Sequence, residues 1–193
     1  MNVDDFWTFL EASGRDGGGQ EPREAFLSHR LGRIPREHVL DFAQHLSATR
    51  EPANTYRLWR AADIILDGWC STDGFHYFQM WLAGLGREAY EGAIAAPDSL
   101  AGHPEVRRLA ALPRPWADED YPMWESLEYV AVGVGEQRPD IGGDVRDLLT
   151  EERAFYPRMD PDPDDTEWLN LDRDELAVRY PQLWDLFGDR WRT

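Results

Sequence analysis

The apolar positions of this chain recur at helical spacing almost from end to end. Val3, Phe6, Trp7 and Leu10 fall at i, i+3, i+4 and i+7 behind Asn2, an N-cap with Asp5 three residues on. Gly17-Gly18-Gly19 ends that helix or loops beyond it. Pro22 opens a second helix, to about Leu31, and Pro35 a third, striped by Val39, Phe42, Ala43 and Leu46. After a break at Glu51-Pro52-Ala53-Asn54, with Asn54 as the cap, Leu58, Ala62, Ile65, Leu66 and Trp69 share one face. Gly68 stops this helix. Ser71 or Thr72 caps the next, which carries Phe75, Phe78, Leu82 and Leu85. A shorter helix runs from about Arg87 to Ala95, and Pro97 turns into another short one. Residues 102–117 hold Pro104, Pro113 and Pro115 and read as mixed short helix and loop. Asp118-Glu119-Asp120 suits a helix N-terminus, with Trp124, Leu127, Ala131 and Val134 along the helix that follows. From Gly135 to Thr166 the pattern weakens. Asp172-Arg173-Asp174-Glu175 is a capping box before Ala177, Tyr180, Trp184 and Phe187, with Pro181 forcing a kink or a fresh start.

No period-2 alternation competes with this reading. The expectation is an all-α chain, a single compact array of about seven to nine helices. Its organisation reads as a helical core over 1–135, an acidic loop-rich segment over 136–171, and a C-terminal helix over 172–193 that packs back on the core. The aromatic stripe of that last helix would have no purpose on a free tail.

Composition sharpens the picture in three places. Nine tryptophans are a heavy load for 193 residues, and they enlarge the core or line a groove. All 20 basic residues are arginine, so every side-chain cation can make planar, two-pronged contacts with carboxylates. The net charge of −17 is uneven: residues 118–193 carry 21 acids against 8 arginines, a net of −13. Such a chain disfavours nucleic acid and anionic membrane surfaces, and it suits a basic protein partner or plain solubility. The N-terminal residues lack a basic stretch followed by an apolar run, and no apolar run approaches a bilayer span, so a cytoplasmic location is expected. With Cys70 the sole cysteine, no intramolecular disulfide can form.

The chemistry-bearing residues are sparse. Cys70-Ser71-Thr72-Asp73-Gly74-Phe75-His76 gathers a thiol, a carboxylate and an imidazole, with Asp73 and His76 at i, i+3. A third metal ligand is missing, so no metal and no cofactor is expected. Asp73 also suits the first turn of a helix. Asp160 to Asp165 fails as a calcium loop, since position 6 is Asp165 and position 12 is Leu171. Asp63 and Asp67 share a helix side away from Leu58 and Ile65, which reads as solvated charge. If another helix covers that side, Trp59 and Asp63 would line an interhelical pocket. Nucleotide and acyl-transfer motifs are absent.

Leu58-Trp59-Arg60-Ala61-Ala62, then Gly68-Trp69-Cys70-Ser71-Thr72-Asp73-Gly74-Phe75-His76-Tyr77-Phe78 and Trp81-Leu82, resembles the bacterial family called domain of unknown function 4240. Gly86-Arg87 and Ala96-Pro97-Asp98-Ser99-Leu100 look like its continuation, and the likeness spans roughly residues 1–135. Trp69 departs from it, standing where a second glycine is usual. The resemblance implies a small helical bacterial protein and brings no activity with it.

Two functional expectations follow. The first is a non-enzymatic module that binds a basic protein or takes a ligand between the two central helices. The second is an enzyme of unassigned class in the same place. Both would use Trp59, Asp63, Asp73, His76, Trp81 and Arg87. The residues define no oligomeric state.

Overall fold

The computed structural model describes residues 1–15, 18–156 and 162–191. Twelve α-helices and five 3-10 turns, with no strand, account for the regular structure of the described residues. The helices are α1 (Val3–Ala12), α2 (Gln20–Leu31), α3 (Arg36–Ala48), α4 (Arg50–Ala53), α5 (Tyr56–Ile65) and α6 (Thr72–Gly84). There follow α7 (Arg87–Ala95), α8 (Pro104–Ala111), α9 (Val130–Gln137), α10 (Val145–Arg153), α11 (Arg173–Arg179) and α12 (Pro181–Phe187).

The count exceeds seven to nine because several elements are very short. Pro181 gives α12 a fresh start and so divides the final helix in two. The helix expected from Asp118 does not form as one piece. Pro122 and an extended Tyr121 interrupt it, leaving 3-10 turns at Asp118–Asp120 and Glu125–Tyr129 before α9. Within the stretch where the pattern weakened, α10 packs on α3 and α9 through Val145 and Leu149. Its polar face is so dominant that few apolar positions announce it. The acidic run at 160–165 lies partly outside the described residues, as does Gly17.

Local chemistry explains most of the helix starts. Asn2 with Asp5 and Asp172 with Glu175 both form full capping boxes. Thr55, one residue beyond the expected Asn54, caps α5 by accepting from the Leu58 N–H. Other starts are completed from far away in sequence. The Asp165 carboxylate accepts the Tyr56 and Arg57 N–H groups at 2.6 and 3.0 Å, capping α5. Asp98 accepts from Gln182 and Leu183 at the start of α12, and Glu11 accepts from Arg87 at the start of α7.

Aromatic rings dominate the core: Phe6, Phe42, Phe75, Phe78, Trp124, Tyr180 and Phe187 are fully buried. Three further tryptophans, Trp7, Trp81 and Trp116, are buried as well, so the load does enlarge the core. Trp69 is the exception at 75% exposed. The last helices dock firmly: α12 packs on α5 and on the Pro97–Gly102 turn, and the Tyr180 hydroxyl donates to Arg57 O at 2.6 Å. No described helix is long and apolar enough to cross a membrane.

Candidate functional site

The space between the two central helices is filled. The Trp59 indole stacks on Phe75 at 4.5 Å and 13°, and its Nε1–H donates to Cys70 O at 2.9 Å. Ser71 caps α6 by accepting from the Gly74 N–H, which leaves Asp73 exposed in the first turn. Cys70 is buried, and burial with the nearby Asp63 carboxylate pushes its thiol up, away from a reactive thiolate.

Asp63 and Asp67 correct the reading of solvated charge. Asp63 is 4% exposed: one oxygen accepts the Cys70 N–H at 2.8 Å and the other meets Arg60 at 3.0 Å. The turn after α5 folds back over this side, and Arg114 arrives from beyond α8 to hold Asp67 at 3.0 Å. Burial pushes the Asp63 carboxyl up to about 7, with Arg60 and the Cys70 N–H offsetting only part of the cost. A raised carboxyl binds its proton in the folded chain at pH values where the unfolded chain has released it. The contribution of Asp63 to folding stability should therefore be fully present below about 4 and be lost as pH rises through about 7. Asp63→Asn should flatten that fall. Urea titrations of both proteins at pH 4.5 and 8 would check it, and parallel pH profiles would refute the assignment.

His76 is nearly buried and its Nε2 lies 3.2 Å from Glu128 Oε2, an oxygen that also receives Arg50 at 3.1 Å. This cluster ties α4 and α6 to the turn before α9. Arg87 pairs with Asp4 and Glu91 at the surface. Trp81 is buried against Phe78. Of the six sequence-selected residues, Trp59 and Asp63 meet at the Cys70 backbone, and the other four point into different surroundings.

Trp81 does border a substantial cleft, of about 660 Å³, on the far end of α6. Its floor is Trp81, Gly84, Leu85 and Trp124. Gly84 is required there, since a Cβ would stand 2.5 Å from the Trp124 ring. One part of the lining comes from the end of α1 and the start of α2: Glu11, Arg15, Gln20 and Arg23. The other comes from α8 and the turn at 118–121: His103, Glu105, Arg108, Glu119 and Asp120.

Arg23 is the most constrained of these groups. Its Nε–H donates to Ser13 Oγ at 3.0 Å, one terminal nitrogen donates to Gly84 O at 2.8 Å, and the guanidinium lies 4.5 Å over Trp124. Both hydrogen-bond partners are neutral, no carboxylate among the described residues pairs with it, and burial lowers its pKa from the usual arginine value. Arg108, by contrast, is consumed, bonding Glu105 through two nitrogens at 2.8 Å and Asp120 at 2.7 Å. His103 Nδ1 accepts the Glu105 N–H, so the ring proton sits on Nε2 when the imidazole is neutral. Burial favours that neutral form.

Sequence reasoning passed over this cleft. Its parts lie on segments more than 100 residues apart, from Glu11 to Trp124. The one local signal was Gly84 inside an otherwise bulky aromatic helix, which marks a close approach.

A helical array with a polar, arginine-bearing cleft is the class of protein that these observations define. The family described as protein of unknown function (DUF4240) matches residues 1–134, and the chain belongs to that family. No curated protein and no solved structure matches it. The matched residues include α1 to α8 and Trp124, and hence the whole lining of the cleft. Among the described residues, no group of three or more His, Cys, Asp or Glu is placed to hold a metal ion.

Proposed function

We propose that this chain is a binding protein that takes a small polar molecule into the cleft floored by Trp81 and Trp124. The observation that carries the reading is Arg23. It is half-buried, fixed on three sides, and without a carboxylate partner among the described residues, in a chain of net charge −17. Holding a desolvated guanidinium without a counter-ion is costly, and a ligand anion would supply the missing partner. Because the side chain is already immobilised, binding would lose little further conformational freedom. The reading is non-enzymatic, since the lining offers no nucleophile paired with a base and the lone thiol lies at the α5–α6 turn.

Native mass spectrometry after incubation with the low-mass fraction of a bacterial extract tests it. A discrete adduct on the wild type that is lost in Arg23→Gln is the expected result. A wild-type protein that stays free of adduct would remove the proposal.

A second reading keeps the basic protein partner, and the net of −13 over residues 118–193 favours it. That association should weaken steeply as salt rises, and Arg23→Gln should leave it intact.

A further inference from the structure

Resting on the binding reading above, we infer that the cleft's ligand is a zwitterion of amino-acid or short-peptide size, its carboxylate on Arg23 and its cationic group facing Glu119 and Asp120. Three observations lead there.

The first is the open edge of Arg23. A guanidinium has five N–H donors. In Arg23, which lines the cleft, Nε and one terminal nitrogen are engaged, and the other terminal nitrogen makes no hydrogen bond among the described residues. A fixed fork with an open edge matches the planar, two-oxygen geometry of a carboxylate.

The second is the charge at the other side of the lining. Arg108 is a single cation shared between Glu105 and Asp120, and Glu119 beside them has no ion pair among the described residues. That side therefore keeps an excess of negative charge. A ligand that was only an anion would meet attraction on the side of Arg15 and Arg23 and repulsion on the side of Glu119 and Asp120, inside a protein of net charge −17. A ligand that was only a cation would leave Arg23 without its partner. A molecule with both ends satisfies both sides.

The third is size. About 660 Å³ is within the range of small-molecule sites and exceeds what a lone inorganic ion would fill. The floor of Trp81 and Leu85 leaves an apolar surface for the body of such a molecule.

The test is ligand-observed NMR and calorimetry against a defined panel: the twenty free amino acids, a set of dipeptides, succinate as a carboxylate-only control, and putrescine as an amine-only control. The expected result is binding by one or more zwitterions, with neither control bound. Arg23→Gln should weaken that binding about tenfold or more, Arg23→Lys less, because the charge stays and the fork is lost. Glu119→Gln, at an exposed residue that holds nothing in place, should weaken it severalfold, so the proposal stays testable even if a change at Arg23 disturbs folding. Trp69→Ala, in the exposed turn after α5, should change nothing. Succinate binding as well as any zwitterion would overturn the inference while leaving the binding reading standing. A panel with no binder would overturn it too, and the binding reading itself would fall only if the extract also left the protein empty.

Discussion

Trp124→Ala should cost about 3–5 kcal/mol of folding stability, the usual range for truncating a fully buried tryptophan. Several independent supports would go at once. The ring lies against the bare Cα of Gly84, at a spacing that leaves no room for a Cβ. Its Nε1–H donates to Glu24 Oε1 at 2.7 Å, and the Arg23 guanidinium rests 4.5 Å above it. Guanidinium chloride unfolding followed by tryptophan fluorescence and by circular dichroism would measure the loss. A change under about 1 kcal/mol would mean that the ring is not packed as described.

Removing residues 162–193 should have a larger effect still, abolishing the cooperative unfolding transition. Tyr180, Leu183 and Phe187 are all essentially inaccessible to solvent. Losing each large side chain from a core costs about 2–5 kcal/mol, against a total stability of roughly 5–15 kcal/mol for an ordinary domain. The cut would also expose the matching faces of α5 and the Pro97–Gly102 turn. It would strip Asp165 from the α5 N-terminus and the Tyr180 hydroxyl from Arg57 O. Calorimetry would show a broad, weak transition or none. A sharp transition at the parent temperature would show that the first 161 residues stand alone.

The two outcomes bear on how a family match should be interpreted. Residues 1–134 carry the DUF4240 likeness, yet α5 inside that span is completed by residues that lie beyond it.

The legibility of the fold varied with the physics that shapes each element. α1 and α6 were readable because an apolar stripe and a local cap act together over neighbouring residues, whereas α3 and α7 were read from their stripes and the flanking Pro35 and Gly86. α7 fell at Arg87–Ala95 as the spacing indicated. α10 was missed because two buried residues, Val145 and Leu149, hold it, too few to outweigh its polar positions. The Asp118 helix was over-read because Trp124 and Leu127 keep helical spacing while Pro122 and the packing of Trp124 on Gly84 impose a different backbone.

The site was less legible than the fold. Sequence neighbours drew attention to Cys70, Asp73 and His76, but capping and core packing explain that cluster. Asp63 was tied to Trp59 on the condition that another helix covers their side; what covers Asp63 is its own following turn, where the two side chains meet at the Cys70 backbone. The cleft depends on Arg23, Gly84, His103 and Trp124 meeting in space, and no periodicity or motif encodes a meeting of four short segments. Arg23 in particular looks like any other arginine on α2 until it can be seen that no carboxylate among the described residues pairs with it.

The all-arginine make-up of the basic residues has a practical side. With no lysine among the 193 residues, the chain has no side-chain amine for acylation, ubiquitin transfer or amine-directed coupling. The α-amino group of Met1 is held in an ion pair with Asp41 and is nearly covered. A single lysine placed at a solvent-facing position such as Val178, 80% exposed, would then be a unique handle. One dye or one tether could be attached there in a defined orientation, on the helix just before Tyr180 and away from the residues that line the cleft.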